Sequence, residues 1–168
     1  MKISLLHNIN MENTFLSTEK THEYFMKKAL QQAQRAKEAD EVPVGAVIVK
    51  DGKVIARAHN KKEAKLCATR HAEIEAIEKA TKKVQNWWLE DCDLYVTLEP
   101  CAMCAGALIN SRLRAVYFGA YDPKAGCCGS LYNLPVDTRF NHRLTVEGGI
   151  MRDECAQILT DYFKRKRK

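Results

Sequence analysis

Apolar residues recur every three or four positions across residues 21–40, and Lys, Gln and Glu fill most of the positions between them. This period predicts an amphipathic helix with one apolar face. Its apolar positions are Phe25, Ala29, Ala33 and Ala36. The pattern then changes to two short apolar runs, residues 44–49 and 53–58, which are separated by Asp51-Gly52. Two runs on either side of Asp-Gly predict a β-hairpin with a tight turn.

Helical and strand patterns alternate along the rest of the chain. Helices are predicted over residues 71–80, 101–110 and 151–167, a short helix near Leu131, and strands over residues 93–97, 115–119 and 144–147. Such alternation is typical of an α/β domain, in which crossover connections place helices against a sheet. The sequence contains no internal repeat and no linker that would divide a core. We therefore expect one layered α/β domain.

Two segments carry residues typical of zinc chemistry: a His-Ala-Glu sequence at residues 71–73 and a Pro-Cys-Ala-Met-Cys sequence at residues 100–104. Cysteines three apart at the start of a helix point their sulfurs the same way. Together, His71, Cys101 and Cys104 provide one imidazole and two thiolates, which leaves one tetrahedral position for water. A structural zinc site would normally have a fourth protein ligand, and no other cysteine stands in a C-x-x-C pair. The pattern predicts a catalytic zinc.

Glu73 lies two residues after the predicted histidine ligand and is not itself needed as a ligand. Two thiolates and a neutral imidazole cancel the formal charge of Zn²⁺ and leave the metal only moderately electrophilic. Such a site needs a second group that moves protons. A carboxylate can take a proton from water and pass it to a leaving nitrogen. The combination of H-x-E and P-C-x-x-C is the signature of zinc nucleobase deaminases. A redox-active cysteine pair is the weaker interpretation, because it would leave His71 and Glu73 without a role.

Composition limits the class of protein. A chain of 168 residues is long enough for one well-cored domain, and no apolar run approaches the ~20 residues that span a bilayer. Residues 1–10 carry one lysine and a short apolar patch, which is too little for an export signal. Seven cysteines, an odd number, show no disulfide framework and favour the cytoplasm. We expect no membrane association.

The net charge of +6 is concentrated at the end of the chain, where residues 164–168, Lys-Arg-Lys-Arg-Lys, contribute five of the six units. A run of this kind is often only a solvated terminus. Next to a base-modifying zinc site it is better explained as an element that binds phosphates, with a contribution that fades as salt rises.

The motifs that carry a family resemblance extend over most of the sequence. They are residues 43–49, Asn60, residues 71–73, residues 97–107 and residues 118–124. With these motifs the chain resembles the bacterial tRNA-specific adenosine deaminases from about residue 20 to its end. We expect a single zinc-dependent deaminase domain over residues 20–168 with a basic C-terminal helix, preceded by an extension of unknown role over residues 1–19.

The resemblance implies both a fold and an activity. The fold is the three-layer cytidine-deaminase-like α/β fold, a mixed five-stranded sheet flanked by helices. The activity is hydrolytic conversion of adenosine to inosine at the wobble position of a tRNA anticodon, with one Zn²⁺ per chain. The implied partners are the tRNA anticodon stem-loop and a second copy of the chain in a homodimer, and no DNA is expected.

Residue roles follow from the same resemblance. His71, Cys101 and Cys104 match the zinc ligands of the family, and Glu73 matches its proton-shuttling glutamate. Asn60 matches an asparagine that binds the base, although without the resemblance it would be interpreted as a turn residue. Asp122 and Lys124 lie either beside the entering RNA or in an ordinary polar loop. Phe163, Lys166 and Arg167 near the basic end are expected to contact substrate, whereas an aromatic there, such as Tyr162, can instead anchor the last helix in the core. The segment 67–70, Cys-Ala-Thr-Arg, departs from many bacterial members.

Two other functions compete with this hypothesis. The first is a deaminase of free nucleobases or nucleosides such as cytosine or guanine, which would use the same metal chemistry. The second is a catalytically inactive zinc protein that only binds RNA. Glu73 argues against the second, because binding alone needs no uncommitted carboxylate. The basic tail and the loop around Asp122 favour RNA over a free base.

Overall fold

The computed structural model describes residues 3–167, and for residues 3–17 it describes the backbone alone. Helices alternate with strands in the predicted order. The elements are α1 Ile3–Glu38, β1 Gly45–Lys50, β2 Lys53–His59, α2 Ala72–Val84, β3 Cys92–Leu98, α3 Ala102–Asn110, β4 Ala115–Ala120, a 3₁₀ turn Leu134–Val136, β5 Thr145–Gly148 and α4 Arg152–Lys166.

The five strands form one sheet in the order β2-β1-β3-β4-β5. Strand β1 pairs antiparallel with β2 and β3, and β3, β4 and β5 are mutually parallel. The hairpin turn has positive φ at both Asp51 (48°) and Gly52 (68°), as the tight turn predicted from Asp-Gly requires. The mixed five-stranded sheet expected from the sequence is confirmed.

Side chains of the central strands alternate between two apolar layers. Ala46 and Ile48 of β1 pack on the side of α2 and α3, whereas Val47 and Val49 pack on the side of α1 and α4. This two-residue period is what a strand buried on both faces must show. The sheet therefore lies between two layers of helices, which confirms the three-layer α/β architecture.

Gly45, at the start of β1, lies against the backbone of α1. A Cβ added there would lie 2.1 Å from the carbonyl oxygen of Ala29 and 2.3 Å from the amide nitrogen of Ala33. Only glycine permits this contact, because the neighbouring atoms are backbone and cannot rotate away. The close packing fixes α1 over the edge of the sheet where the chemically active residues converge.

Two element boundaries differ from the sequence prediction. The helix expected to start near residue 21 begins at Ile3, because residues 3–38 contain no Gly or Pro that would stop helix propagation toward the N-terminus. The short helix expected near Leu131 is the 3₁₀ turn at Leu134–Val136, where Pro135 sits in the first turn. Within the part of the chain that the structure describes, no helix is long and apolar enough to cross a membrane.

Candidate active site

Four chain segments meet at one edge of the sheet. Strand pairing brings the start of β1 together with the ends of β2, β3 and β4. Gly45 pairs with His59, and Leu98 pairs with Ala120. Loops that follow parallel strands at their carboxyl ends are the usual ligand-binding positions of α/β folds. The residues just beyond these four strand ends therefore face a common space.

The predicted metal ligands lie at the starts of two helices. His71 is the residue that precedes α2 and Cys101 the residue that precedes α3, and both have extended backbone conformations. Cys104 follows on the first turn of α3 and is buried. Helix starts carry unpaired amide groups and a partial positive charge, which favours the thiolate forms of the two cysteines.

The three ligand atoms have the spacing of a tetrahedral zinc site. His71 Nδ1 lies 3.7 Å from Cys101 Sγ and 3.6 Å from Cys104 Sγ, and all three atoms lie within 4.8 Å of one another. Zinc with Zn–S of ~2.3 Å and Zn–N of ~2.0–2.1 Å in tetrahedral geometry separates nitrogen from sulfur by about 3.6 Å. The group therefore fits zinc. Cys67 is not part of it, and its sulfur contacts Thr69 Oγ1 at 3.3 Å.

The ionisation of the two cysteines is coupled. Hydrogen bonds that the Cys101 sulfur accepts from Cys104 and from His71 lower the pKa of Cys101 to about 4, while the same contact between the sulfurs raises the pKa of Cys104. The pKa of His71 is raised, chiefly by its contact with Cys101. The raised pKa values of Cys104 and His71 favour their protonated forms, and a dication bound there would displace those protons and keep both sulfurs as thiolates.

Glu73 lies on the first turn of α2, beside the ligands but outside the metal-binding group. Its side chain is only 4% exposed, and burial raises the pKa of its carboxyl group. A raised carboxyl pKa is the direction expected of a group that both accepts and returns a proton near neutral pH. The sequence-based assignment of Glu73 to proton transfer therefore has a matching environment.

A cavity of about 190 Å³ opens beside the metal-binding group. Its walls combine apolar side chains with a few polar ones, as small-molecule sites usually do. Asn60 is 6% exposed and lines this cavity, so the residue predicted to bind a base and the predicted catalytic group Glu73 line the same space. The lining residues are Val42, Val44, Asn60, Lys62, His71, Ala72, Glu73, Leu98, Glu99, Cys101, Asp122 and Ala125.

Comparison with known proteins identifies the family. The profile of the MafB19-like deaminases matches residues 20–167. A tRNA-specific adenosine deaminase from Bacillus subtilis (strain 168) is 49% identical over 146 residues, which cover 87% of this chain and 91% of the relative. The chain belongs to the tRNA-specific adenosine deaminase family.

Solved structures agree with this family assignment. A structure from a study of A-to-I editing by tRNA:A34 deaminases at the wobble position is 44% identical, with a TM-score of 0.78, and the match covers 81% of this chain and 99% of that chain. A guanine deaminase from Nitrosomonas europaea is 26% identical, with a TM-score of 0.74 and 83% of each chain covered. Deaminases named for different substrates thus share this architecture.

The loop after β4 is organised by Glu99, a buried carboxylate that the sequence analysis did not single out. Glu99 accepts hydrogen bonds from the backbone of Asp122 (3.0 Å), Cys128 (3.1 Å) and Ser130 (2.8 Å), and from the Ser130 hydroxyl. Gly126 allows this, because a Cβ there would lie 2.3 Å from the Glu99 carboxyl carbon. Glu99 therefore shapes the wall of the deaminase pocket.

Within that loop, Asp122 and Lys124 have different positions. Asp122 lines the cavity, and its Oδ1 accepts from the backbone N–H of Lys124 at 2.9 Å and of Ala125 at 3.2 Å. Lys124 is exposed and does not line the cavity. Asp122 thus stabilises the turn that presents Lys124 to solvent beside the pocket.

The C-terminal residues predicted to contact substrate lie on the last turns of α4, outside the pocket lining. Phe163 is 45% exposed, whereas Tyr162 is buried and donates from its hydroxyl to the carbonyl oxygen of Asp40 at 3.0 Å. Lys166 pairs with the Asp40 carboxylate, and Arg167 is exposed. Tyr162 therefore anchors the helix, and Phe163 is the aromatic side chain that faces solvent. The final residue of the basic run, Lys168, lies outside the described residues.

The β2–α2 loop brings one lysine to the pocket that the sequence analysis missed. Lys61 pairs with Glu75 at 3.5 Å, and Arg70 pairs with Glu75 at 3.1 Å, so these cations are already neutralised. Lys62 lines the cavity and has no ion pair among residues 18–167. Its position two residues after Asn60 was visible in the sequence, but only the fold shows that its side chain reaches the cavity.

Proposed function

We propose that this protein hydrolyses the exocyclic amine of adenosine at the wobble position of a tRNA anticodon, forming inosine and ammonia, with one Zn²⁺ per chain. The observation that carries the chemistry is the His71, Cys101 and Cys104 group with zinc-like spacing beside a buried Glu73 that is free of the ligand set. The substrate class rests on the relatives named tRNA-specific adenosine deaminase.

Proton movement in this reaction belongs to Glu73. Zinc held by His71, Cys101 and Cys104 would make water a better nucleophile near neutral pH. Glu73 would accept one proton from the attacking water and pass it to the ring nitrogen, and would then take the second proton from the newly added hydroxyl group and pass it to the amine, which leaves as ammonia when its bond to carbon breaks. Burial raises the pKa of Glu73, the direction that favours uptake and return of a proton by its carboxyl group.

Asn60 would hold the flipped base in the pocket. The amide can hydrogen-bond the edge of a purine, while Val44 and Leu98 present apolar surface to it. A base in an anticodon loop costs less to remove from its stack than a base in a duplex, which suits a closed pocket of this kind.

Contacts to the rest of the RNA would come from exposed groups around the pocket mouth. Lys62, Lys124 and Arg167 provide positive charge for phosphates, and Lys166 would do so by exchanging its partner Asp40 for a phosphate. Phe163 provides an exposed ring on which a base can stack. Asp122 supports these contacts by shaping the loop that carries Lys124.

We further infer a homodimer that works in the cytoplasm. Four large apolar side chains are exposed close together in sequence, and an apolar surface of this kind is typical of an interface. They are Leu131, Tyr132, Val136 and Phe140. All seven cysteines are free thiols, which a reducing compartment maintains.

A deaminase of free bases is the second candidate, and the structural similarity to the Nitrosomonas europaea guanine deaminase is the observation that favours it. The exposed cations around the pocket favour RNA instead, because a free neutral base offers them no partner. A catalytically inactive RNA-binding protein is the weakest candidate, since it would have no use for Glu73.

The decisive experiment measures inosine formation by the zinc-loaded protein on anticodon stem-loops with adenosine at the wobble position. Parallel reactions contain the same concentration of free adenosine, adenine, guanine or cytosine, and all reactions are also assayed for ammonia, because the free bases do not yield inosine. We expect turnover of a stem-loop and a kcat/KM at least about 100-fold lower on the free compounds, the difference that remote binding contacts provide. Turnover of guanine or cytosine alone would establish the second candidate.

A further inference from the structure

Glu41 is a fully buried carboxylate in the connection between α1 and β1. Glu41 is 1% exposed, and the next residue, Val42, lines the pocket. Residues 18–167 provide it with no ion pair from Lys, Arg or His. Burying an unpaired carboxylate is costly unless hydrogen bonds satisfy it, so its presence here calls for a physical reason.

Three N–H groups satisfy Glu41, and all three come from the segment that begins with Asn60. Asn60 Nδ2 donates to Oε2 at 3.2 Å, the backbone N–H of Glu63 donates to the same oxygen at 3.1 Å, and that of Ala64 donates to Oε1 at 2.7 Å. The backbone of Asn60 is fixed separately, because its N–H donates to the carbonyl oxygen of Val44 at 3.0 Å. The main chain and the side chain of Asn60 are thus both fixed.

The contact with Glu41 decides which way the Asn60 amide faces. A carboxylate accepts hydrogen bonds and cannot donate them, so it attracts Nδ2 and repels Oδ1. With Nδ2 turned toward Glu41, the carbonyl oxygen of the amide and the second Nδ2 proton are left for the pocket. A flipped amide would lose a charge-assisted hydrogen bond and bring two acceptor oxygens together.

We propose that Glu41 is a positioning residue for base recognition: it locks the Asn60 amide in one orientation, so that the pocket offers an incoming base a single fixed arrangement of acceptor and donor. The same carboxylate holds the backbone at Glu63 and Ala64, and with it the loop that carries Lys62. The inference rests on the proposed function of Asn60 in holding the base. An amide free to rotate would bind the base in two ways, of which one is unproductive.

A double-mutant cycle tests the proposal on the full-length, zinc-loaded protein. The variants are Glu41→Ala, Glu41→Gln, Asn60→Ala and the two double variants, and the readout is kcat/KM for inosine formation on one anticodon stem-loop. We expect Glu41→Ala to lower kcat/KM about tenfold, the effect of losing one hydrogen bond to a charged group. In the Asn60→Ala background, either change at Glu41 should lower kcat/KM less than twofold, because the group through which Glu41 acts is already gone.

Glu63→Gln is the matched control, because it removes a carboxylate from the same loop while leaving the contact between Glu41 and Asn60 in place. Zinc content should remain one per chain throughout. Losses at Glu41 that are equally large with and without Asn60 would overturn the proposal and assign Glu41 a purely structural role. If Glu41→Ala does not fold, Glu41→Gln, which keeps the shape of the side chain, completes the cycle. Absence of inosine with the wild-type protein would instead refute the proposed function.

Discussion

The metal end of the pocket and its outer rim are built in opposite ways. At the metal end, His71, Cys101 and Cys104 are fixed at two helix starts with N–S distances of 3.6 and 3.7 Å, and Glu73 beside them is buried. At the rim, charged groups such as Lys62 are exposed and carried on loops or a helix end. The metal end depends on the positions of individual atoms, whereas the rim acts through charge.

This contrast is one way in which related deaminases can share an architecture and differ in substrate. Coordination and proton transfer fail when an atom moves by a fraction of an ångström. Phosphate contacts from flexible lysines tolerate displacement and weaken gradually with salt. We therefore expect changes at the metal end to abolish activity, and changes at the rim to produce graded, salt-dependent losses.

The largest effect is expected from the cysteine ligands. Cys101→Ala or Cys104→Ala should lose zinc and activity, and also stability, because metal binding contributes to folding. At a zinc concentration 100 times Kd the bound ion contributes about 2.7 kcal/mol, so the melting temperature should fall by roughly 5–10 °C in a domain of this size. Metal analysis and thermal unfolding measure both losses. Cys155→Ala is the control, because Cys155 is as fully buried as Cys104 but lies in the other apolar layer. The Cys155→Ala protein should retain one zinc per chain.

Glu73→Gln should lower kcat by a factor of about 10² to 10⁴ while one zinc per chain remains, because the amide keeps the shape of the side chain but cannot move protons. Inosine formation and metal content are measured on the same preparation. Glu78→Gln is the control with unchanged turnover, because Glu78 lies on the same helix and its ion pair among residues 18–167 is with Arg70. Zinc loss from a folded Glu73→Gln protein would show that Glu73 belongs to the ligand set.

Deleting residues 164–168 should weaken binding of the stem-loop and reduce its salt dependence. Arg165 and Lys166 pair with Asp40, while Lys164 and Arg167 have no ion pair among the described residues. Two lost phosphate contacts would lower the slope of log K against log salt by about 1.4–1.8. Binding isotherms at several salt concentrations measure the slope. Replacing Lys82 and Lys83, at the far end of α2 from His71, is the control for the loss of two exposed cations elsewhere on the surface. Equal slopes for the truncated and full-length proteins would mean that the tail is only a solvated terminus.

The smallest effect is expected from Lys62→Ala, which should raise KM a few-fold with little change in kcat and lower the salt slope by about 0.7–0.9 for one phosphate contact. Lys65→Ala removes the same charge from the same loop outside the pocket lining and serves as the control. Steady-state kinetics at two salt concentrations separate the two variants. Equal effects at both positions would mean that Lys62 contributes only general positive charge.

Local patterns were sufficient to predict most of the fold. Eight of the predicted helices and strands match elements of the structure closely, because turn residues such as Asp51-Gly52 and the changes between helical and strand periods mark their boundaries. The start of α1 was missed because residues 3–17 have no clear apolar period. A helix that has already formed can extend into such a segment without one. Amphipathic periodicity reports the buried face of a helix, not its length.

The candidate metal site was also visible in the sequence, because zinc chemistry demands particular residue types at short spacings, as in His71 with Glu73 and Cys101 with Cys104. The same reasoning could not identify Glu41 and Glu99 as structural residues. Both are buried carboxylates that accept hydrogen bonds from loops far away in sequence, 19 or more residues from Glu41 and 23 or more from Glu99. No spacing rule predicts such pairs.

The sequence by itself thus determined the order of the elements, and it supplied the candidate metal ligands and the carboxylate beside them, because each of these features depends on short local patterns. Only the tertiary structure decided which residues meet. The antiparallel pairing of β1 with β2 and β3 brings Asn60 to the cavity that Glu73 also lines. The buried Tyr162 ties the basic helix end to Asp40, two residues before the lining residue Val42. These contacts depend on strand order and on layer packing, which arise from interactions along the whole chain and are encoded in no single segment.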